Sequence, residues 1–146
     1  MVFEGNRITK KNSVMKKILL VLFLSLFTIN AANAQGNGQQ DAFTPISKYM
    51  QSGDYEKLSA WFADNLELDI LGSINDCTRN QAKMIMKNFF SKYTPKKFNI
   101  IHKSGKAPMK YAVGTLTAGG ETFRVILYVK TSDEGSYLEQ LKVEQE

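Results

Sequence analysis

Gly119-Gly120 separates two runs, Met109 to Ala118 and Glu121 to Thr131, along which the side chains alternate in character. Two glycines supply the positive φ angles that a tight hairpin turn needs at both central positions, so turn and runs together predict an antiparallel pair. The turn also fixes the register. Leu116 then faces Phe123, Gly114 faces Val125 and Ala112 faces Leu127 on one side of the pair. Thr115 faces Arg124, Val113 faces Ile126 and Tyr111 faces Tyr128 on the other. Small residues beside large ones on the first side leave room for a helix to approach. The second side is too apolar and aromatic to stand comfortably in water.

The period of two extends beyond this hairpin. Upstream, Phe98, Ile100 and His102 alternate with Asn99, Ile101 and Lys103, and Ser104 to Pro108 reads as a loop. Downstream, Tyr137 to Glu144 forms a last strand after a turn-rich Ser132 to Ser136. The length of that turn decides which face Leu141 and Val143 take, and the sequence leaves the choice open.

Before Lys97 the pattern is helical. Phe43, Ile46, Tyr49 and Met50 share one face of a short helix with Pro45 in its first turn, and Gly53 ends it. Asp54 caps a second helix on which Leu58, Trp61 and Phe62 share a face; a strand follows, with Leu66, Leu68 and Ile70 alternating with Glu67 and Asp69. Leu71 to Asp76 reads as a turn-rich connection. Thr78 and Gln81 then make a capping box opening a third helix, whose apolar face is Ala82, Ile85, Met86, Phe89 and Phe90, and Pro95 disfavours helix at Thr94.

The first 34 of the 146 residues stand apart from this domain. Met15-Lys16-Lys17 begins a basic segment, Ile18 to Ile29 is almost unbroken apolar sequence, and Ala32-Asn33-Ala34 offers small residues for cleavage before Gln35. The apolar run, of roughly 12 residues, falls short of the ~20 that span a bilayer. Met15 is the expected start, 35–40 a flexible lead, and 41–146 a single domain. The mature chain is therefore expected in the periplasm or outside the cell, with no stable membrane insertion. Removing the leader takes five basic residues and one acid, so 19 against 14 becomes 14 against 13. That near-neutral balance removes the main support for a nucleic-acid partner.

The order helix, helix, strand, helix and four antiparallel strands resembles the nuclear-transport-factor-2-like (cystatin-like) cone. More narrowly it resembles an uncharacterised secreted family of Gram-negative bacteria. The likeness is carried by Ser52-Gly53-Asp54, Leu58 with Phe62, Leu66-Glu67-Leu68, Gln81-Ala82 through Phe89-Phe90, Phe98 with Ile100-Ile101-His102, Tyr111 to Leu116 and Phe123-Arg124-Val125. It implies an α+β fold in which three N-terminal helices pack on a strongly curved antiparallel sheet. These are packing and turn residues, so the resemblance implies no activity.

Chemistry-bearing residues are sparse. His102, the only histidine, shares a strand face with Phe98 and Ile100 on this reading, with Glu139 the acid to test beside it; a small isomerase or hydrolase would use them. Tyr49, Trp61, Phe90, Tyr93 and His102 are candidates to line a cone-shaped site for a small apolar ligand, although aromatic residues at helical spacing are more often core. Tyr111, Val113, Arg124, Ile126 and Tyr128 form a candidate homodimer face. Lys83, Lys87, Lys92, Lys96, Lys97, Lys103, Lys106 and Lys110 could serve a cell-envelope interaction domain that takes an acidic partner, or simply face water. One histidine and one cysteine, Cys77, are too few for a zinc site, and no glycine-rich phosphate loop opens a helix, so no metal or cofactor is expected. The leading expectation is a non-enzymatic module that binds a small apolar ligand or dimerises through the open sheet face. N-terminal sequencing of the exported chain should begin at Gln35, and an N-terminus retaining Met1 would refute the leader.

Overall fold

The computed structural model describes residues 41–146. The leader, its cleavage site, the start at Met15 and the lead 35–40 lie outside the described residues. Helix α1 runs Phe43–Ser52 and stops at Gly53, whose φ of 67° lets its N–H turn back to the Tyr49 carbonyl. Asp54 caps α2, Tyr55–Ser59, by accepting from the Lys57 amide at 3.0 Å. This helix is shorter than its apolar spacing implies. Trp61 and Phe62 leave it because the Trp61 carbonyl is taken by the Leu138 amide at 2.7 Å, and Phe62 already begins β1, Phe62–Ile70.

The segment read as a connection after Ile70 holds a strand. β2, Ser73–Thr78, folds back on β1 through Leu71-Gly72, both at positive φ. Its residues show no alternation because it is an edge strand held by main-chain bonds, with only Cys77 turned into the core. The capping box then forms as expected: Thr78 Oγ1 accepts from the Gln81 amide, and the Gln81 side chain accepts from the Thr78 amide at 2.9 Å. Helix α3, Arg79–Lys92, follows and ends before Pro95.

Four strands complete the sheet: β3 (Pro95–Lys106), β4 (Met109–Ala118), β5 (Glu121–Ser132) and β6 (Gly135–Gln145). The order across it is β2-β1-β6-β5-β4-β3. Two features of the expected architecture need correction. The sheet is not wholly antiparallel, since β1 and β6 run parallel. Only two helices precede it, because α3 enters after the β1–β2 hairpin. The loop expected at Ser104 to Pro108 also shrinks, as β3 continues to Lys106.

The β4–β5 register matches the expected one at all six pairs, from Leu116 with Phe123 to Tyr111 with Tyr128. The turn before β6 leaves only Asp133 and Glu134 between paired Ser132 and Gly135, and the pairing shifts where Glu139 is passed over. That bulge lets Leu138 and Leu141, three residues apart, both turn inward with Val143. Helices α1 and α3 cover the inner face, where Leu68, Met86, Leu116, Phe123, Leu127 and Leu141 have no exposed surface.

The room at Gly114 is filled by a strand neighbour, not by a helix. A Cβ there would come within 2.6 Å of the Phe98 ring and 2.9 Å of the Asn99 carbonyl oxygen. Gly114→Ala is therefore expected to cost about 1–3 kcal/mol through overpacking, a fall in Tm on the order of 4–8 °C per kcal/mol. Thermal unfolding of the variant checks this, and an unchanged midpoint would refute the close contact.

Candidate functional site

The outer face of the sheet is built by the residues that alternate with the core. Tyr111 pairs with Tyr128 and Val113 with Ile126 across β4 and β5, and all four are half-buried. The tyrosine rings lie 5.8 Å apart. Towards β6 and β1 the same face becomes ionic. Lys142 Nζ lies 2.9 Å from Glu144 and 3.3 Å from Asp69, and the Gln140 amide donates to Glu67. Hydrogen bonds to Glu144 and then Asp69 hold the Lys142 ammonium above its ordinary value. Arg124 lies at the same level as Thr115 and reaches Glu146 at 3.6 Å. The five candidate dimer residues thus share one side of two adjacent strands.

His102 also belongs to this outer face, and its expected place beside Phe98 and Ile100 is corrected. The β3–β4 pairing shifts between Ile100 and His102, so Ile101 is an extra residue and everything beyond it changes side. Phe98 and Ile100 oppose inward-facing Leu116 and Gly114; His102 opposes outward-facing Val113. It is exposed, with its ring 5.9 Å from Tyr111. Glu139 sits at the β6 bulge, 3.3 Å from Lys130. Three strand spacings, about 14 Å, separate β3 from β6, so the two residues are not brought together.

The remaining ligand candidates are dispersed. Phe90 is buried; Tyr93 caps α3 and meets Phe123 edge-to-face at 4.9 Å and Phe89 in a tilted contact at 5.2 Å. Phe89 in turn packs on Phe90 and Phe123, so this end of the cone is occupied by rings in contact. Tyr49 and Trp61 are half-buried against the core from α1 and from the start of β1, and His102 is on the opposite side of the sheet.

Cys77 is buried, with Sγ 3.6 Å from the Leu66 carbonyl oxygen. Burial, and then the Asp76 charge, pushes its thiol above the ordinary value, which disfavours the reactive thiolate. Of the eight candidate lysines, only Lys103 has a carboxylate within salt-bridge distance among the described residues. Its Nζ lies 2.8 Å from Asp41 Oδ2 and 5.5 Å from the centre of the Phe43 ring. Among the described residues no helix is long and apolar enough to cross a membrane. No group of three or more His, Cys, Asp or Glu among them could hold a metal ion.

The sequence reading missed a groove of about 490 Å³ between α1 and β3, where Phe43, Thr44 and Ser47 face Ile100, Ile101, His102 and Lys103. The doubled isoleucine that breaks the alternation was its only signal.

With this geometry in place, the comparisons with known proteins identify the chain's relatives. The family described as "Domain of unknown function (DUF4783)" matches residues 43–144, and the chain belongs to it. No curated protein matches. A DUF4783 family protein from Bacteroides uniformis superposes with a TM-score of 0.69 at 18% identity, over 73% of this chain and 98% of that one. One from Bacteroides ovatus gives 0.67 at 22% identity, over 70% and 93%. An NTF2-like protein of unknown function from Cytophaga hutchinsonii gives 0.56 at 8% identity, over 74% and 89%. The fold is accordingly α+β and nuclear-transport-factor-2-like.

Asp41 generates a prediction of its own. Burial pushes its carboxyl up, but hydrogen bonds from Lys103, Thr44 and the Phe43 amide, with the Lys103 charge, outweigh this and hold it below its ordinary value. The ionised form therefore stabilises the fold above the unfolded carboxyl's pKa, and that contribution is lost as pH falls through the lower folded value. Asp41→Ala should cost about 1 kcal/mol at neutral pH, chiefly by removing the acceptor of the Phe43 amide and Thr44 hydroxyl, with the gap narrowing in acid. Urea titrations of both proteins at neutral and acid pH check this; a gap that widens in acid would refute it.

Proposed function

We propose that this DUF4783 chain is a non-enzymatic periplasmic or secreted module that pairs with a second copy through the outer face of β4 and β5. The observation that carries the reading is that Tyr111, Val113, Ile126 and Tyr128 form an apolar and aromatic patch on the side of the sheet opposite the helices. β4 and β5 together with the adjoining β6 and β1, four strands about ten residues long, present roughly 600 Å² in plan, approaching the ~800 Å² per partner of a standard interface. The ionic half beside the patch, with Lys142, Asp69 and Glu144, would form a polar rim.

The packed rings of Phe89, Phe90, Tyr93 and Phe123 favour association through this face over a ligand held inside the cone. The enzymatic alternative is weakened by the separation of His102 from Glu139. Sedimentation velocity over a wide concentration range tests the proposal. The wild-type chain should form a dimer, and Val113→Glu or Ile126→Lys should shift the dissociation constant by at least about tenfold while leaving the circular dichroism unchanged. A monomer up to about 1 mM would overturn the reading.

A further inference from the structure

Charge in the domain is segregated along the chain. Arg79 to Lys110 holds nine basic residues and no acid, whereas the rest of 41–146 holds five basic residues and thirteen acids. The basic stretch includes the whole of β3, which carries Lys96, Lys97, Lys103 and Lys106 and is one edge of the sheet. An edge strand offers unpaired main-chain groups on its open side. At the start of β3 that side is already capped, because the Gln51 side chain of α1 accepts from the Phe98 amide at 3.2 Å. Since Phe98 points its N–H away from β4, alternation directs the Ile100 N–H to the open side too, followed after the bulge by those of Lys103 and Gly105. No other group among the described residues hydrogen-bonds the backbone of 99–106 from the open side.

Along this open stretch lies the groove between α1 and β3. Ile101, 65% exposed, stands at the bulge, and Phe43 forms part of the apolar wall. We infer that the β3 edge from Ile100 to Gly105 binds an acidic, extended peptide segment of a partner protein by strand addition. Main-chain bonds would supply the ladder, the groove would take an apolar side chain, and Lys106, Lys96 and Lys97 would select acidic neighbours on the incoming strand, Lys103 being held by Asp41. The charge pattern decides between occupants. Lysines on an edge repel a second β3 edge, so they oppose symmetric pairing of two copies here while attracting an acidic strand. The inference is independent of the face-to-face dimer, which uses β4 and β5.

Fluorescence anisotropy with a labelled synthetic peptide alternating glutamate and valine tests it. Two controls are needed: the lysine-for-glutamate peptide, and an acidic peptide of equal charge broken by a central proline. The alternating acidic peptide should bind at least about tenfold more tightly than either. Ile101→Ser should weaken it by about tenfold without altering the unfolding midpoint, and Lys106→Glu, which leaves the groove intact, should weaken it as well. Hydrogen exchange should slow at the outward-facing amides of 100–105 on binding. Equal affinity for the proline-broken peptide would reduce the effect to general charge attraction and overturn the inference. Absence of binding would also overturn it, as would protection confined to β2. Self-association that Ile101→Ser abolishes and the peptide does not displace would overturn it in favour of a second copy.

Discussion

The parallel pairing of β1 with β6 is the constraint on which the rest depends. It joins the two ends of the domain: Phe62 lies beside Leu138 and Ile70 beside Val143. Hydrogen bonds close both ends of the pairing, from the Leu138 amide to the Trp61 carbonyl and from the Leu71 amide to the Val143 carbonyl. Without β6 between them, the β1–β2 hairpin and the β3–β4–β5 meander would be two ribbons with separate apolar faces, neither wide enough to cover the helices. With β6 seated, Leu66 and Leu68 continue the buried surface of Leu141, Leu127 and Ala112, and α1 and α3 cover it together. Such contacts span more than seventy residues of chain, so loop closure must precede their reward.

This dependence explains which parts of the fold were legible in the sequence. Helix caps and the Gly119-Gly120 hairpin are local, and Thr78 with Gln81 or Leu116 with Phe123 could be read from neighbours alone. The end of α2 could not, because the agent that pulls Trp61 out of helical geometry is the distant Leu138. β2 escaped notice because main-chain pairing at an edge needs no alternation. The two bulges were the costliest omissions. At Glu139 the extra residue decides the face of the last strand, and at Ile101 it moves His102 from the inner face to the outer. Each bulge depends on the partner strand's register, which a single strand's sequence does not contain. For the candidate site, the patch on β4 and β5 was legible through the hairpin, whereas the groove at α1 and β3 required both elements in place.

The resulting molecule presents three surfaces with different physical character. The inner face is spent on packing, and its aromatic rings touch one another. The outer face divides between an aromatic half on β4 and β5 and an ion-paired half on β6 and β1. The edges differ in sign: β3 carries four lysines and no acid, while β2 carries Asp76 beside the acidic residues of β1. A fold shared with many proteins says little about activity, so what distinguishes this chain is how these surfaces are charged and where they are left uncovered.

The interior position of β6 has a consequence for biosynthesis. A chain delivered from its N-terminus, whether from a ribosome or through a membrane pore, presents α1 through β5 before the strand that belongs between β1 and β5 has arrived. Until then β1 and β5 each expose a row of unpaired amides and carbonyls that β6 alone completes. The domain is thus built to finish folding only after β6 has been released, and the interval before that is when its unfinished edges most need shielding from other chains.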